Sequence, residues 1–214
     1  MKKGIIFDLD GTLLNSLVDI ADAVNFVLEK YQFPIYDFET YKQFIGNGIE
    51  VLARKALEPN ILESDFIPYF EEIKASYKQR QNTKTAPYSG ITDLLIELNS
   101  RNVKIAILSN KPHEFVEPTV KRYFPNIKFD IMLGSRENVE RKPNPIAVYE
   151  ILEYLQLEKK DCFFVGDTAT DIITGKNSGI ESIGVLWGFR GKEELLKAGA
   201  NYIVKYPSEI IDLL

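Results

Sequence analysis

The sequence contains a single cysteine, which excludes an internal disulfide framework. Cys162 precedes the apolar run 163–165, so we interpret it as a small buried hydrophobic residue rather than a reactive thiol. No apolar stretch approaches the roughly 20 residues that a membrane-spanning helix needs. The apolar run near the N-terminus is also too short for a signal peptide. These absences predict a cytoplasmic protein that does not enter a membrane.

An excess of positive charge is also missing. The chain carries 26 Lys and Arg residues against 31 Asp and Glu residues, which gives a formal net charge of -5. No basic stripe stands out, and this argues against nucleic acid as a partner. With 214 residues, of which 45% are hydrophobic, the chain is expected to form one large domain or one domain with an insertion.

The sequence does contain a pair of carboxylates directly after a short apolar run near its N-terminus. Residues 5–7 are Ile, Ile and Phe, and Gly11 follows soon after, which is typical of a buried strand that ends in a tight turn. Because side chains alternate along a strand, Asp8 and Asp10 point to the same side of it. Two neighbouring like charges at the edge of a core are unfavourable, and a divalent cation such as Mg²⁺ offsets them. Asp8 is then a candidate nucleophile and Asp10 a candidate proton donor.

The chain divides into a helical block and a block in which strands and helices alternate. Ser16 followed by Asp19 resembles a capping box at the start of a first helix, and helices are predicted to fill most of 15–85 with no strand among them. The later alternation predicts an α/β fold, a Rossmann-like core with a doubly wound parallel sheet. Because a crossover needs far fewer residues than the helical block contains, we interpret 15–85 as an inserted helical cap domain. The core domain is then formed by 1–14 and 86–214.

Polar residues follow the predicted strands, at the sheet edge where ligands bind in open parallel sheets. Ser109 and Asn110 follow the predicted strand 103–108, and their hydroxyl and amide groups could hold phosphate oxygens. Taken alone, they are more typical of an ordinary polar loop. Lys142 precedes Pro143, which restricts it to an extended conformation and directs it from a loop. Its ammonium group would neutralise a nucleophile or a phosphoryl group, although a basic loop before a helix is an even alternative.

A second pair of acids follows another apolar strand. The sequence Phe163-Phe164-Val165-Gly166 runs into Asp167, and Asp171 lies four residues further on. One helical turn brings residues at this spacing to the same side. Together with Asp8 and Asp10, these acids would surround one cavity, which again favours a metal ion.

Taken in order along the whole chain, these motifs resemble those of the haloacid dehalogenase superfamily. The resemblance is carried by Asp8-Leu9-Asp10-Gly11-Thr12, by Ser109-Asn110, by Lys142-Pro143-Asn144-Pro145 and by Gly166-Asp167 with Asp171. It implies that Asp8 is the nucleophile that becomes phosphorylated and that Asp10 is the acid and base. It also implies a phosphoryl site formed by Thr12, Ser109, Asn110 and Lys142. The implied Mg²⁺ site consists of the Asp8 carboxylate, the Asp10 backbone carbonyl and Asp167, with Asp171 binding through water or supporting a ligand.

Within the superfamily the chain is most similar to the phosphoglycolate phosphatases, through the stretches 45–49, 176–180, 184–189 and 198–202. Asn15 departs from the pattern, because relatives usually carry Asp there. The similarity implies a phosphoric monoester hydrolase that acts on a small phosphorylated metabolite. Alternatives in the same superfamily are a pyrophosphatase, a sugar-phosphate phosphatase and a phosphomutase. An alternative of a different class is a phospho-acceptor signalling domain, but such domains are shorter and lack an acid two residues past the phosphorylated Asp.

Overall fold

A computed structural model describes residues 2–214 of the chain. Eight strands are present in this part: β1 (Gly4–Phe7), β2 (Leu14–Asn15), β3 (Ala86–Pro87), β4 (Lys104–Pro112), β5 (Ile131–Ser135), β6 (Cys162–Gly166), β7 (Glu181–Val185) and β8 (Tyr202–Val204). Six of them form one sheet in the order β5-β4-β1-β6-β7-β8, and every pairing in it is parallel. The predicted α/β fold with a doubly wound parallel sheet is confirmed.

Ten α-helices in residues 2–214 connect and flank these strands. They are α1 (Leu17–Lys30), α2 (Phe38–Phe44), α3 (Ile49–Leu57), α4 (Phe66–Arg80), α5 (Ile91–Ser100), α6 (His113–Tyr123), α7 (Ile146–Leu155), α8 (Ala169–Ser178), α9 (Lys192–Ala198) and α10 (Glu209–Asp212). Within residues 2–214, no helix has the length and apolar character needed to cross a membrane. The prediction placed the strand after α5 at 103–108, whereas β4 continues to Pro112 and carries the polar residues 109–111 inside the sheet.

The sheet has a hydrophobic cluster on each face, which explains why its strands are apolar without interruption. Ile5 and Phe7 of β1 belong to one cluster, and Ile6 between them belongs to the other. Cys162 at the start of β6 lies in the second cluster and is fully buried, and burial raises the pKa of its thiol to about 11. The interpretation of Cys162 as a small buried hydrophobic residue is therefore confirmed.

Helices α1–α4 pack around a hydrophobic cluster of their own. Tyr41 and Leu28 are among its fully buried side chains, and Phe189, from the segment after β7, also joins it. The two connections between these helices and the sheet pair as a short antiparallel ribbon, with Leu14 of β2 opposite Pro87 of β3. This ribbon was not predicted, because two-residue strands leave no periodic pattern in a sequence.

The capping box predicted at the start of α1 is wrong. The side chain of Ser16 makes no capping hydrogen bond, and the Asp19 carboxylate binds a distant segment instead. It accepts hydrogen bonds from the backbone N–H groups of Thr83, Lys84 and Thr85, at 3.0, 2.8 and 3.0 Å. The Thr85 hydroxyl donates a further bond at 2.6 Å. The first turn of α1 is thereby fastened to the chain that returns to the sheet.

We expect Asp19→Ala to lower the free energy of unfolding by about 3 kcal/mol, since it removes four hydrogen bonds to a charged group, each of which contributes roughly 1.5–3 kcal/mol. Urea unfolding followed by far-ultraviolet circular dichroism measures the change. Asp22→Ala is the matched control, because Asp22 also lies on α1 but makes only an exposed ion pair with Lys84. Similar unfolding free energies for the two variants would contradict the role given to Asp19.

Candidate active site

The carboxyl ends of three neighbouring strands form the site. β1 lies between β4 and β6 in the sheet, with Phe7 opposite Ile107 on one side and Val165 on the other. Parallel strands in this register place the residues that follow them at one edge. Asp8 therefore meets polar residues of β4 on one side and the residue that follows β6, Asp167, on the other.

Three acids from distant parts of the chain converge here. Asp8, Asp167 and Asp171 are all buried, and one carboxylate oxygen of each lies within 4.8 Å of the others. Burial raises the pKa of Asp8 to about 7, against the lowering effect of the Lys142 ammonium group. The structure thus brings these three predicted residues together, whereas the Asp10 carboxylate binds elsewhere in the site.

Asp167 has only uncharged hydrogen-bond donors. Its carboxylate accepts a bond from the Thr12 hydroxyl at 3.1 Å and one from the backbone N–H of Phe189 at 2.8 Å. Burial, and then the charges of Asp171 and Asp8, raise the pKa of Asp167 well above its ordinary value. A nearby cation would favour the ionised form of this buried carboxylate.

Close packing around Asp167 depends on glycine. A Cβ atom at Gly188 would lie 2.2 Å from the Asp167 Cβ, and one at Gly11 would lie 2.4 Å from its Oδ2. Gly11 also has a φ of +95°, in the left-handed region that other residues avoid. The turn after β1 and the segment after β7 can therefore both close on this carboxylate.

Lys142 neutralises part of the acidic cluster. Its Nζ lies 2.8 Å from Asp8 Oδ1 and 2.6 Å from Asp171 Oδ1. Burial acts to lower the pKa of Lys142, but the charges of Asp171 and Asp8 outweigh it and raise the pKa above its ordinary value. The Asn110 side-chain oxygen accepts a hydrogen bond from the backbone N–H of Lys142 at 3.0 Å, and its side-chain N–H donates one to the Lys142 carbonyl at 3.2 Å. Asn110 thus fixes the loop that carries Lys142, and its predicted contact with phosphate stays a prediction.

Asp171 also begins α8. Its Oδ2 accepts a hydrogen bond from the backbone N–H of Thr168 at 3.0 Å, as in a capping box, and another from the Thr168 hydroxyl at 2.7 Å. Both of its oxygens therefore have partners, one in Lys142 and one in Thr168. The Thr12 hydroxyl is bound to Asp167, and the Ser109 hydroxyl accepts a bond from the N–H of Lys111 at 3.2 Å. The predicted phosphate contacts of Thr12 and Ser109 stay predictions.

Lys111 is a site residue that the sequence analysis missed. Its Nζ lies 3.1 Å from both carboxylate oxygens of Asp10, and it also donates to the hydroxyl of Tyr77 on α4. Burial alone would lower the pKa of Lys111, but the charge of Asp10 and the Tyr77 hydroxyl raise it overall. A signal was present, since alternation along β4 places Lys111 on the same side as Ser109. Tyr77 had no such signal, because its helix reaches the site only through packing.

A cleft opens above the strand ends, between the sheet and the helical block. Its floor includes Asp8, Asp10 and Ser109 from the sheet. Its opposite wall comes from the helical block and is mainly apolar, with Ile20, Val24, Ile45, Ile49 and Leu52. The nucleophile and acid predicted from the sequence therefore line a cleft that is polar on the side of the sheet and mainly apolar on the side of the helical block.

The charges of the site fit a divalent metal ion. When all four acids are ionised, Asp8, Asp10, Asp167 and Asp171 carry four negative charges against the two positive charges of Lys111 and Lys142, which leaves an excess of two. The carboxylate that lacks a charged partner, Asp167, lies within the group of three whose oxygens approach one another. Carboxylate oxygens are hard ligands of the kind that Mg²⁺ prefers.

Comparisons with known proteins agree with this geometry. Residues 5–185 match the profile of the family described as haloacid dehalogenase-like hydrolase. The phosphoglycolate phosphatase of Aquifex aeolicus is 31% identical over 210 residues, covering 98% of this chain and 95% of its own. That of Vibrio parahaemolyticus is 29% identical, covering 99% of this chain and 96% of its own. A crystal structure from Lactobacillus delbrueckii, provisionally assigned as a phosphoglycolate phosphatase, has a TM-score of 0.93 and 32% identity, covering 100% of this chain and 98% of that one.

Proposed function

The chain belongs to the family of haloacid dehalogenase-like hydrolases, and from this premise we propose that it hydrolyses small phosphate monoesters through a phosphorylated Asp8. One observation carries the proposal: Asp8 lines the cavity, and Lys142 lies 2.8 Å from its carboxylate. A carboxylate held in this way can approach an anionic phosphate, because the ammonium group offsets the repulsion between them. The curated relatives named phosphoglycolate phosphatase support a phosphatase and make 2-phosphoglycolate the first ester to consider.

In the first step, an oxygen of Asp8 attacks phosphorus and the bond from phosphorus to the ester oxygen breaks. Asp10, which enters this step in its protonated form, donates a proton to the departing oxygen, which leaves as an alcohol. Asp10 is suited to this task because its carboxylate lines the same cavity as that of Asp8. Lys111 holds both oxygens of Asp10 and so fixes the direction in which the proton is delivered.

In the second step, water attacks the phosphorus of the aspartyl-phosphate, and the bond from phosphorus to the Asp8 oxygen breaks. Asp10, now ionised, accepts a proton from this water, which returns both acids to their starting states. Lys142 remains beside Asp8 in both steps and stabilises the charge that moves between the carboxylate and the phosphoryl oxygens.

We propose that the metal is Mg²⁺, held by the carboxylates of Asp8 and Asp167 and the backbone carbonyl of Asp10. Asp171 is then a ligand through water or a support for Lys142, as its ion pair with that residue suggests. When bound, Mg²⁺ supplies positive charge that offsets the repulsion between the nucleophile and the phosphate. The uncharged hydrogen-bond donors of Asp167 and the two excess negative charges support this assignment.

We further propose that 15–85 is a cap domain that closes over the site and excludes bulk water. Support comes from its separate hydrophobic cluster and from the apolar wall that it gives to the cavity. A pyrophosphatase, a sugar-phosphate phosphatase and a phosphomutase remain alternatives within the family, whereas membership of a hydrolase family argues against a signalling domain. The cytoplasmic location and the absence of a nucleic-acid partner stay predictions.

We expect the purified protein to release phosphate from p-nitrophenyl phosphate with added Mg²⁺, to lose this activity in EDTA and to regain it when Mg²⁺ is restored. Colorimetric detection of phosphate measures the rate. The same assay on 2-phosphoglycolate, pyrophosphate and glucose 6-phosphate separates the alternatives, and formation of an isomeric sugar phosphate would reveal a mutase. Undiminished phosphate release in EDTA would contradict the proposed metal requirement. The absence of phosphate release from every ester in the presence of Mg²⁺ would contradict the proposed function.

A further inference from the structure

The two sides of the active-site cavity differ in chemistry. The side formed by the helical block contributes the apolar residues named above and, among residues 2–214, one polar side chain, Tyr77 of α4. The Tyr77 hydroxyl reaches the cavity at the side where Lys111 and Asp10 lie. A leaving group that extends away from the phosphate therefore contacts a mostly apolar wall in which the Tyr77 hydroxyl is the one polar side-chain group of the described residues.

Lys111 is the one cationic residue that lines this cavity among the residues that the structure describes. Lys142 lies deeper, with its Nζ between Asp8 and Asp171. Among the described residues that line the cavity, Lys111 is therefore the one cationic partner for a second anionic group on the substrate. Lys111 is nearly fully buried, so water screens such a contact weakly.

The Tyr77 hydroxyl provides a second polar group beside the Lys111 ammonium group. It accepts a hydrogen bond from Lys111, which leaves its own proton to donate into the cavity. A carboxylate placed there can accept from the Tyr77 hydroxyl while facing the charge of the Lys111 ammonium group. Hydrogen bonds of this charged kind are about twice as strong as neutral ones.

We propose that Tyr77 and Lys111 form a subsite for a carboxylate on the leaving group of the ester. The inference rests on the proposed function and names the class of substrate that the site takes. Lys111 Nζ lies 3.1 Å from the acid that protonates the ester oxygen, so a carboxylate in contact with Lys111 is close to that oxygen. The leaving group is therefore a short hydroxy acid, with one or two carbons between the ester oxygen and the carboxylate.

The same wall disfavours the other substrates considered for this family. A sugar phosphate would direct several hydroxyl groups at Ile20, Val24 and Leu52, where each hydroxyl without a partner lowers kcat/KM by on the order of tenfold. Pyrophosphate would place a second phosphate, which carries more negative charge than a carboxylate, against one ammonium group whose charge Asp10 already offsets. A single carboxylate on a short apolar stem suits this wall better than either.

The test compares 2-phosphoglycolate with ethyl phosphate, in which a methyl group replaces the carboxylate. We expect the wild-type protein to show a kcat/KM for 2-phosphoglycolate at least tenfold above that for ethyl phosphate. Tyr77→Phe, which removes only the hydroxyl, is expected to lower this ratio about tenfold, mainly through a higher KM for 2-phosphoglycolate. Lys111→Met is expected to lower the ratio further. Because Lys111 also holds Asp10, its loss slows both esters, and the ratio separates binding of the carboxylate from positioning of the acid.

Tyr36→Phe is the matched control, because the Tyr36 hydroxyl bonds the Ala56 carbonyl within the helical block and does not line the cavity. Its ratio should equal that of the wild type. An unchanged ratio in both Tyr77→Phe and Lys111→Met would overturn the subsite, as would a wild-type preference for ethyl phosphate. Failure of the proposed function gives a different result, because neither these esters nor p-nitrophenyl phosphate would then release phosphate.

Discussion

Asp8→Asn is expected to lower Mg²⁺-dependent phosphate release by roughly 10⁴-fold or more, since loss of a nucleophile removes the covalent path altogether. An amide oxygen is a far weaker nucleophile than a carboxylate, while the side chain keeps its size and shape. Lys142 retains Asp171 as a charged partner at 2.6 Å, so the substitution does not leave an unpaired buried cation. Phosphate release from p-nitrophenyl phosphate under saturating Mg²⁺ measures the effect.

The loss of activity in Asp8→Asn reports on the chemical step only when the variant is folded. The thermal unfolding midpoint and circular dichroism spectrum of Asp8→Asn are therefore compared with those of the wild type. Asp22→Asn serves as a control, because it removes an acid from α1 that lies outside the cavity and pairs only with Lys84. Turnover of folded Asp8→Asn within tenfold of the wild type would reject Asp8 as the nucleophile.

Asp10→Asn has the second largest expected effect, a loss of about 10²–10⁴-fold in steady-state turnover. Asparagine keeps an oxygen that can accept a hydrogen bond from Lys111, so the buried ammonium group retains a partner, but it cannot carry the proton in either step. An ester with a good leaving group needs no acid in the first step. With p-nitrophenyl phosphate, we therefore expect phosphoryl transfer to Asp8 to continue while attack by water becomes slow.

This difference predicts a burst of about one p-nitrophenol per protein molecule, followed by slow turnover. Mass spectrometry of the quenched protein should show one added phosphoryl group on the peptide that contains Asp8. The double variant Asp8→Asn with Asp10→Asn is the control, because it should give neither the burst nor the modified peptide. A modified peptide that excludes Asp8 would contradict the proposed pathway, and turnover of Asp10→Asn at the wild-type rate would contradict the role of Asp10.

The architecture followed largely from local sequence patterns. Apolar runs such as 163–165 predicted the strands of the sheet because both faces of a parallel sheet are buried. The boundaries of β4 and the start of α1 were less predictable. β4 continues through the polar residues 109–111, which a pattern based on burial assigns to a loop. Asp19 matched the spacing of a capping box but binds the backbone of Thr83, Lys84 and Thr85.

The sequence by itself determined which acids stand at the ends of strands, because chain order and side-chain alternation place Asp8 and Asp167 at one edge of a parallel sheet. It also gave the resemblance on which the predicted roles of Lys142 and Ser109 depend. Only the tertiary structure joined Lys111 to Asp10 and Tyr77 to Lys111, across 101 and 34 positions of the chain. Periodicity along a chain records which side chains are buried, whereas the partner of a buried charge is set by how separate elements pack. The composition of the cavity wall, and with it the proposed preference for a leaving group, therefore depends on how α1–α4 pack over the sheet.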